Sequence, residues 1–145
     1  MGQCQREPGP QKLEIDLRRL QERIQVLLPL IRGWNPDVLV ALNPDGLVMS
    51  GLLNRYLQRD VEVLNVGKRN GEYTLLLGHL EGLAGKRALL VAGRLTDESL
   101  WAFVESALQK QQILSVCRLI ALGKGVEYSC FPEYSEDTPL PWEDR

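Results

Sequence analysis

The residues from Lys86 to Leu108, Lys-Arg-Ala-Leu-Leu-Val-Ala-Gly-Arg-Leu-Thr-Asp-Glu-Ser-Leu-Trp-Ala-Phe-Val-Glu-Ser-Ala-Leu, constrain the fold of this chain more than any other stretch. Leu89 to Val91 is a continuous apolar run, which suits a strand covered on both faces, and Leu100, Phe103, Val104, Ala107 and Leu108 then recur at helical spacing. A buried strand, a tight loop and an amphipathic helix in that order form a unit of an open α/β sheet, and such sheets bind ligands where their strands end. The loop itself lacks the residues that such a site would need.

The rest of the chain fits the same architecture. Leu13, Leu17, Leu20, Ile24, Leu27, Leu28 and Ile31 predict an amphipathic helix from Leu13 to Arg32, kinked at Pro29 and ended by Gly33. Val38 to Leu42 is a second buried strand, and Met49, Leu52, Leu53, Tyr56 and Leu57 mark one face of the helix after it. Val61, Val63 and Val66 begin another strand, Asn70-Gly71 is a hairpin signal, and Tyr73 to Leu77 runs back antiparallel. Arg87 to Val91 and Val116 to Leu122 complete the strands, and beyond Leu122 the chain reads as polar and irregular. Because parallel strands require crossovers that cover the sheet, this order predicts an α/β, doubly wound, mostly parallel sheet with flanking helices and a small antiparallel hood over about Val61 to Leu77.

Composition narrows the function. The 145 residues suit one domain, read as residues 11–145 behind a disordered lead of residues 1–10 that contains Pro8 and Pro10. The net charge of −2 comes from 17 basic and 19 acidic residues without long runs, so nucleic acid and anionic membrane are not expected partners. Cys4, Cys117 and Cys130 have no metal-ligand spacing, and reduced, cytoplasmic thiols are the simplest reading. The start Met-Gly-Gln-Cys has Arg6 where an acylation pattern wants Ser or Thr.

Several phrases resemble the type I phosphoribosyltransferases, in particular their purine-salvage branch. Asn35-Pro-Asp-Val-Leu-Val-Ala-Leu-Asn-Pro-Asp-Gly-Leu47 is similar to that family's first strand and pyrophosphate loop. Leu83-Ala-Gly-Lys-Arg-Ala-Leu-Leu-Val91 is similar to the approach to its ribose-phosphate motif, and Leu119-Ile-Ala-Leu-Gly-Lys124 followed by Pro141-Trp-Glu143 resembles its tail. The likeness spans roughly residues 13 to 143 and implies the fold, whereas function has to be argued from the site.

The departures fall on the chemistry. Where the family carries two acidic residues for the ribose hydroxyls and associated metal, this chain has Ala92-Gly93, followed by Arg94 and then Thr96, Asp97, Glu98 and Ser99 in place of a phosphate-cradling turn. Asp97 and Glu98 bring negative charge to a helix start that would otherwise attract an anion, and Thr96 reads as the helix N-cap rather than a phosphate ligand. In the first loop the family's Arg or Lys and Gly-Gly are replaced by Asn43-Pro44-Asp45-Gly46, which loses a backbone donor and exchanges a cation for an anion.

These losses lead to a non-catalytic member of the fold, acting as a binding or regulatory module without a cofactor, whose partner is a protein or a small purine-like ligand. A divergent phosphoribosyltransferase is the alternative, with Asp45, Asp97 and Glu98 holding magnesium. A purine or nucleotide sensor is a third reading, with Lys124 donating to a base and Tyr134 and Trp142 stacking on it, although a solvated lysine and aromatics that pin the tail are the plainer assignments. Arg94 is placed to pair with Asp97 or Asp45 across the old cleft. His79 is the only histidine and reads as a loop residue. A homodimer is expected from the resemblance and from Trp34, Trp101 and Trp142 near element ends.

Overall fold

A computed structural model describes residues 15–94 and 97–143. The expected lead of residues 1–10, Leu13 and Thr96 lie outside them. The elements run α1 (Leu17–Trp34), β1 (Val38–Leu42), α2 (Asp45–Leu53), β2 (Asp60–Arg69), β3 (Glu72–Leu77), β4 (Arg87–Arg94), α3 (Glu98–Gln109), β5 (Ser115–Leu122) and β6 (Tyr128–Phe131).

Six strands form one sheet in the order β3-β2-β1-β4-β5-β6, and only the β2/β3 pair is antiparallel. Val38 to Leu42 and Leu89 to Val91 are neighbouring parallel strands, as their unbroken apolar runs imply. The runs are unbroken because alternate residues enter two different cores. Leu39, Leu89, Val91, Leu119 and Ala121 pack under Leu20, Ile24, Leu28 and Ile31 of α1 and Met49 and Leu53 of α2. Val38, Val40, Ala88, Leu90, Ala92 and Ile120 pack on the other face against Trp101, Val104 and Leu108 of α3.

Local chemistry sets the element ends. α1 starts at Asp16, whose carboxylate accepts from the Arg19 amide at 2.8 Å. It runs through Pro29 and past Gly33 to Trp34, and it stops at Asn35, in the left-handed region at φ 62°. The expected stop at Gly33 is therefore two residues early: an asparagine side chain tolerates that conformation, and Pro36 directly after it prevents continuation. α2 ends at Leu53, short of Tyr56 and Leu57, and the Asn54 side chain ties back to the Arg59 main chain in both directions, at 2.7 and 2.9 Å. The hood is the far half of β2. Asp60 to Leu64 pairs with β1, and after a shift in register at Asn65/Val66 the strand continues into the hairpin with β3.

The tail departs from the irregular reading. Gly123 and Gly125, at φ 107° and 95°, turn the chain back so that Tyr128 to Phe131 forms β6, parallel to β5. α1 then covers β6: the Arg23 guanidinium lies 4.5 Å from the Phe131 ring centroid and donates to the Cys130 carbonyl at 2.6 Å. Among the described residues, no helix is long and apolar enough to cross a membrane.

Candidate functional site

The sheet order reverses between β1 and β4, so the loops leaving these strands flank the crevice where a doubly wound sheet receives its ligand. A cavity of ≈ 180 Å³ lies there, lined by Asn43, Pro44 and Asp45 from the first loop, Ala92, Gly93 and Arg94 from the second, and Val66 and Tyr73 from the hood. Both loops singled out from sequence therefore meet at one place.

Two glycines bring the loops this close. A Cβ on Gly46 would stand 2.1 Å from the Val91 carbonyl oxygen, so the first turn of α2 rests directly on the β4 main chain. A Cβ on Gly93 would stand 2.4 Å from Asp45 Oδ2, which shows that the Asp45 side chain lies directly against Gly93. The Asn43–Pro44 peptide is cis.

Asp45, Arg94 and Asp97, three charged residues singled out from the sequence, are each held by an intramolecular partner. Asp45 accepts from the Trp142 indole at 2.9 Å and faces Arg94 at 3.6 Å. Arg94 forms a bidentate pair with Glu143, at 2.7 and 2.5 Å, and donates to the carbonyls of Glu136 and Thr138 at 2.7 and 2.8 Å. Its pairing is thus with Asp45 and the tail rather than with Asp97. Glu143, above all by its hydrogen bonds, raises the Arg94 pKa beyond the ordinary guanidinium value, so the group stays charged. Residues 136 to 143 are thereby drawn against the carboxyl end of β4, with Leu140 buried in the α1-side core.

On the opposite rim, Asp97 is the N-cap of α3, with its carboxylate accepting from the Ser99 amide at 2.9 Å. The cap expected at Thr96 therefore falls on Asp97, whose charged side chain reaches the first turn. Its other oxygen accepts a hydrogen bond from the Tyr73 hydroxyl, which fastens the hood to α3. That bond, chiefly, holds the Asp97 carboxyl below its usual range and pushes the Tyr73 phenol up.

The sign of the pH effect follows. A carboxyl whose folded pKa lies below its unfolded value of ~3.9 contributes its stability above that value and loses it as pH falls through the folded pKa. Thermal midpoints measured from pH 7 down to pH 3 should therefore fall less steeply in Tyr73→Phe than in the wild type, because the variant lacks the proton-linked tie; parallel curves would show that the tie has no weight.

The remaining candidates separate. Lys124 lines a wider recess of ≈ 630 Å³ with Glu98, Trp101, Glu105, Arg118 and Glu136. Tyr134 instead packs on Phe131 at 5.2 Å and accepts from Arg19 at 2.6 Å, and Trp142 is on Asp45. The three residues proposed for base recognition thus point to three different places. Asp45, Asp97 and Glu98 likewise do not converge, and among the described residues no group of three His, Cys, Asp or Glu side chains is arranged to hold a metal. Ser99 is exposed on α3 and His79 is exposed before the 3-10 turn at Glu81–Leu83. Burial pushes the Cys130 thiol up to about 12, so it stays protonated at neutral pH. The sequence reading missed the part played by Glu143 and Glu136; the only signal was an acidic residue directly after the tail tryptophan.

The fold is that of the type I phosphoribosyltransferases. A purine phosphoribosyltransferase from Pyrococcus horikoshii superposes with a TM-score of 0.78 at 17% identity, over 92% of this chain and 95% of that one. A hypoxanthine-guanine phosphoribosyltransferase from Bacillus anthracis gives 0.68 at 17% identity over 79% of each chain, and a hypoxanthine phosphoribosyltransferase from Staphylococcus aureus gives 0.70 at 12% over 86% and 81%. No protein-family model and no curated protein matches the sequence.

Proposed function

We propose that this chain is a non-catalytic protein of the phosphoribosyltransferase fold, a binding or regulatory module that keeps the crevice and has lost its diphosphate chemistry. The observation that carries this reading is the fate of Asp45, Arg94 and Asp97. All three stand at the crevice rim, and each is tied to the tail or the hood. A phosphoribosyl diphosphate needs its anionic groups neutralised. Here the pyrophosphate loop offers a carboxylate, the helix N-terminus is capped by another, and the guanidinium between them is already bidentate to Glu143. Magnesium does not fit either, since Ala92 and Gly93 provide no oxygen side chain.

The module's partner is proposed to be a protein or a second copy of the chain. α2 is apolar on its outer side as well as its inner side, with Leu47 and Val48 exposed by 44% and 37%, a face that a partner would cover. Light scattering at micromolar concentration tests the homodimer, and a clean mass near 16.4 kDa would exclude it. The purified chain, mixed with phosphoribosyl pyrophosphate, magnesium and each common purine base, is expected to release no pyrophosphate above background. Turnover that disappears in Asp45→Asn or Asp97→Asn would establish the divergent transferase in its place.

A further inference from the structure

The Arg94 guanidinium is the only cation lining the crevice cavity among the described residues, and its partner set has an unusual composition. Two of its nitrogens grip the two oxygens of one carboxylate in parallel, the fork geometry by which arginine also holds phosphate. The carboxylate belongs to the tail, the other acceptors are tail carbonyls of Glu136 and Thr138, and the neighbouring Trp142 indole takes up an oxygen of Asp45. Arg94 has only 17% of its side chain exposed, yet it sits at the end of β4 where the crevice opens. The tail thus supplies, within the chain, what an oxyanion would supply from outside.

We propose that Arg94 is a latent oxyanion site held in the resting chain by Glu143, and that residues 136 to 143 act as an intramolecular competitor for phosphate-type ligands at the crevice. The exchange is a simple displacement: the Glu143 carboxylate leaves the fork and an oxyanion takes both nitrogens, with no proton moved because the guanidinium stays charged. The tail contacts also explain why Asp45 is tolerated beside the site. Asp45 accepts from the Trp142 N–H while the tail is in place, so its carboxylate is hydrogen-bonded by the same segment.

This does not depend on the chain being inactive, because competition at Arg94 would hold for a working or a silent crevice. Inorganic pyrophosphate, titrated without metal into the full-length chain by calorimetry, is the probe. Glu143→Gln is expected to bind it roughly tenfold or more tighter than the wild type, the scale of one charge-assisted hydrogen bond gained. Glu143→Asp, which keeps the charge and shortens the reach, should gain less, and it serves if the neutral variant loses its fold. The gain should vanish in the Arg94→Gln, Glu143→Gln double variant, and Glu81→Gln, the same charge change away from the crevice, should show none. A folded Glu143→Gln or Glu143→Asp chain that binds no tighter than the wild type, a gain that survives loss of Arg94, or an equal gain in Glu81→Gln would each overturn the proposal.

Discussion

Gly46→Ala is expected to destabilise the chain by about 3 kcal/mol or more, the upper part of the range for overpacking a rigid site. The added methyl would meet the Val91 carbonyl oxygen at 2.1 Å and the Ala41 carbonyl carbon at 3.2 Å. Both obstacles are main chain in the two central strands, where neighbours on either side prevent yielding. The alternative is for α2 to lift off β4, which would withdraw Met49 and Leu53 from the core. Chemical denaturation would check the figure, and a loss below about 0.5 kcal/mol, the scale of an ordinary surface change, would mean that α2 does not rest on the β4 main chain. Gly51→Ala on the same helix is the control, since a Cβ there meets nothing within 4 Å. That change should be neutral or slightly stabilising, alanine being the better helix former.

Arg94→Gln is expected to cost roughly 2 to 4 kcal/mol, because removing the cation of a mostly buried pair leaves the carboxylates it faces without their countercharge. Glu143 and Asp45 are the carboxylates left behind, with side-chain exposures of 31% and 22%. The loss should concentrate in the tail. Hydrogen exchange across residues 136 to 143 should quicken well beyond that of β4 and β5, because Arg94 makes four of the hydrogen bonds that join the tail to the sheet. Arg18→Gln is the comparison: its pair with Glu22 is 85% and 62% exposed, and its loss should cost at most a few tenths of a kcal/mol. Equal losses in the two variants would contradict the account of the tail.

The sheet could be read from sequence because both of its faces are covered. Val38 to Leu42 and Leu89 to Val91 are uninterrupted apolar runs, and only strands buried on two sides tolerate that pattern without a helical period. The hood was legible through Asn70-Gly71, a pair whose positive φ values of 52° and 80° suit the hairpin turn. Strand β6 was not legible. Tyr-Ser-Cys-Phe has neither a run nor an alternation, and its two buried residues are held by Arg19 and Arg23, more than a hundred positions earlier in the chain. The crevice divided in the same way. The loops around Asp45 and Arg94 stood out as departures from the phosphoribosyltransferase pattern, and the pairing of Arg94 with Asp45 could be anticipated from their adjacent strands. The bond from Arg94 to Glu143 joins residues 49 positions apart, and that from Trp142 to Asp45 joins residues 97 apart. A single sequence carries no periodicity that encodes such contacts.

The non-catalytic reading is tested most directly by titrating phosphoribosyl pyrophosphate with magnesium into the wild-type chain by calorimetry. A crevice that presents Asp45 and capped Asp97, with its guanidinium bound to Glu143, should give no saturable heat. Micromolar binding with one equivalent per chain, weakened by Asp45→Asn or Asp97→Asn, would contradict the account and make the acidic rim a working metal and diphosphate site.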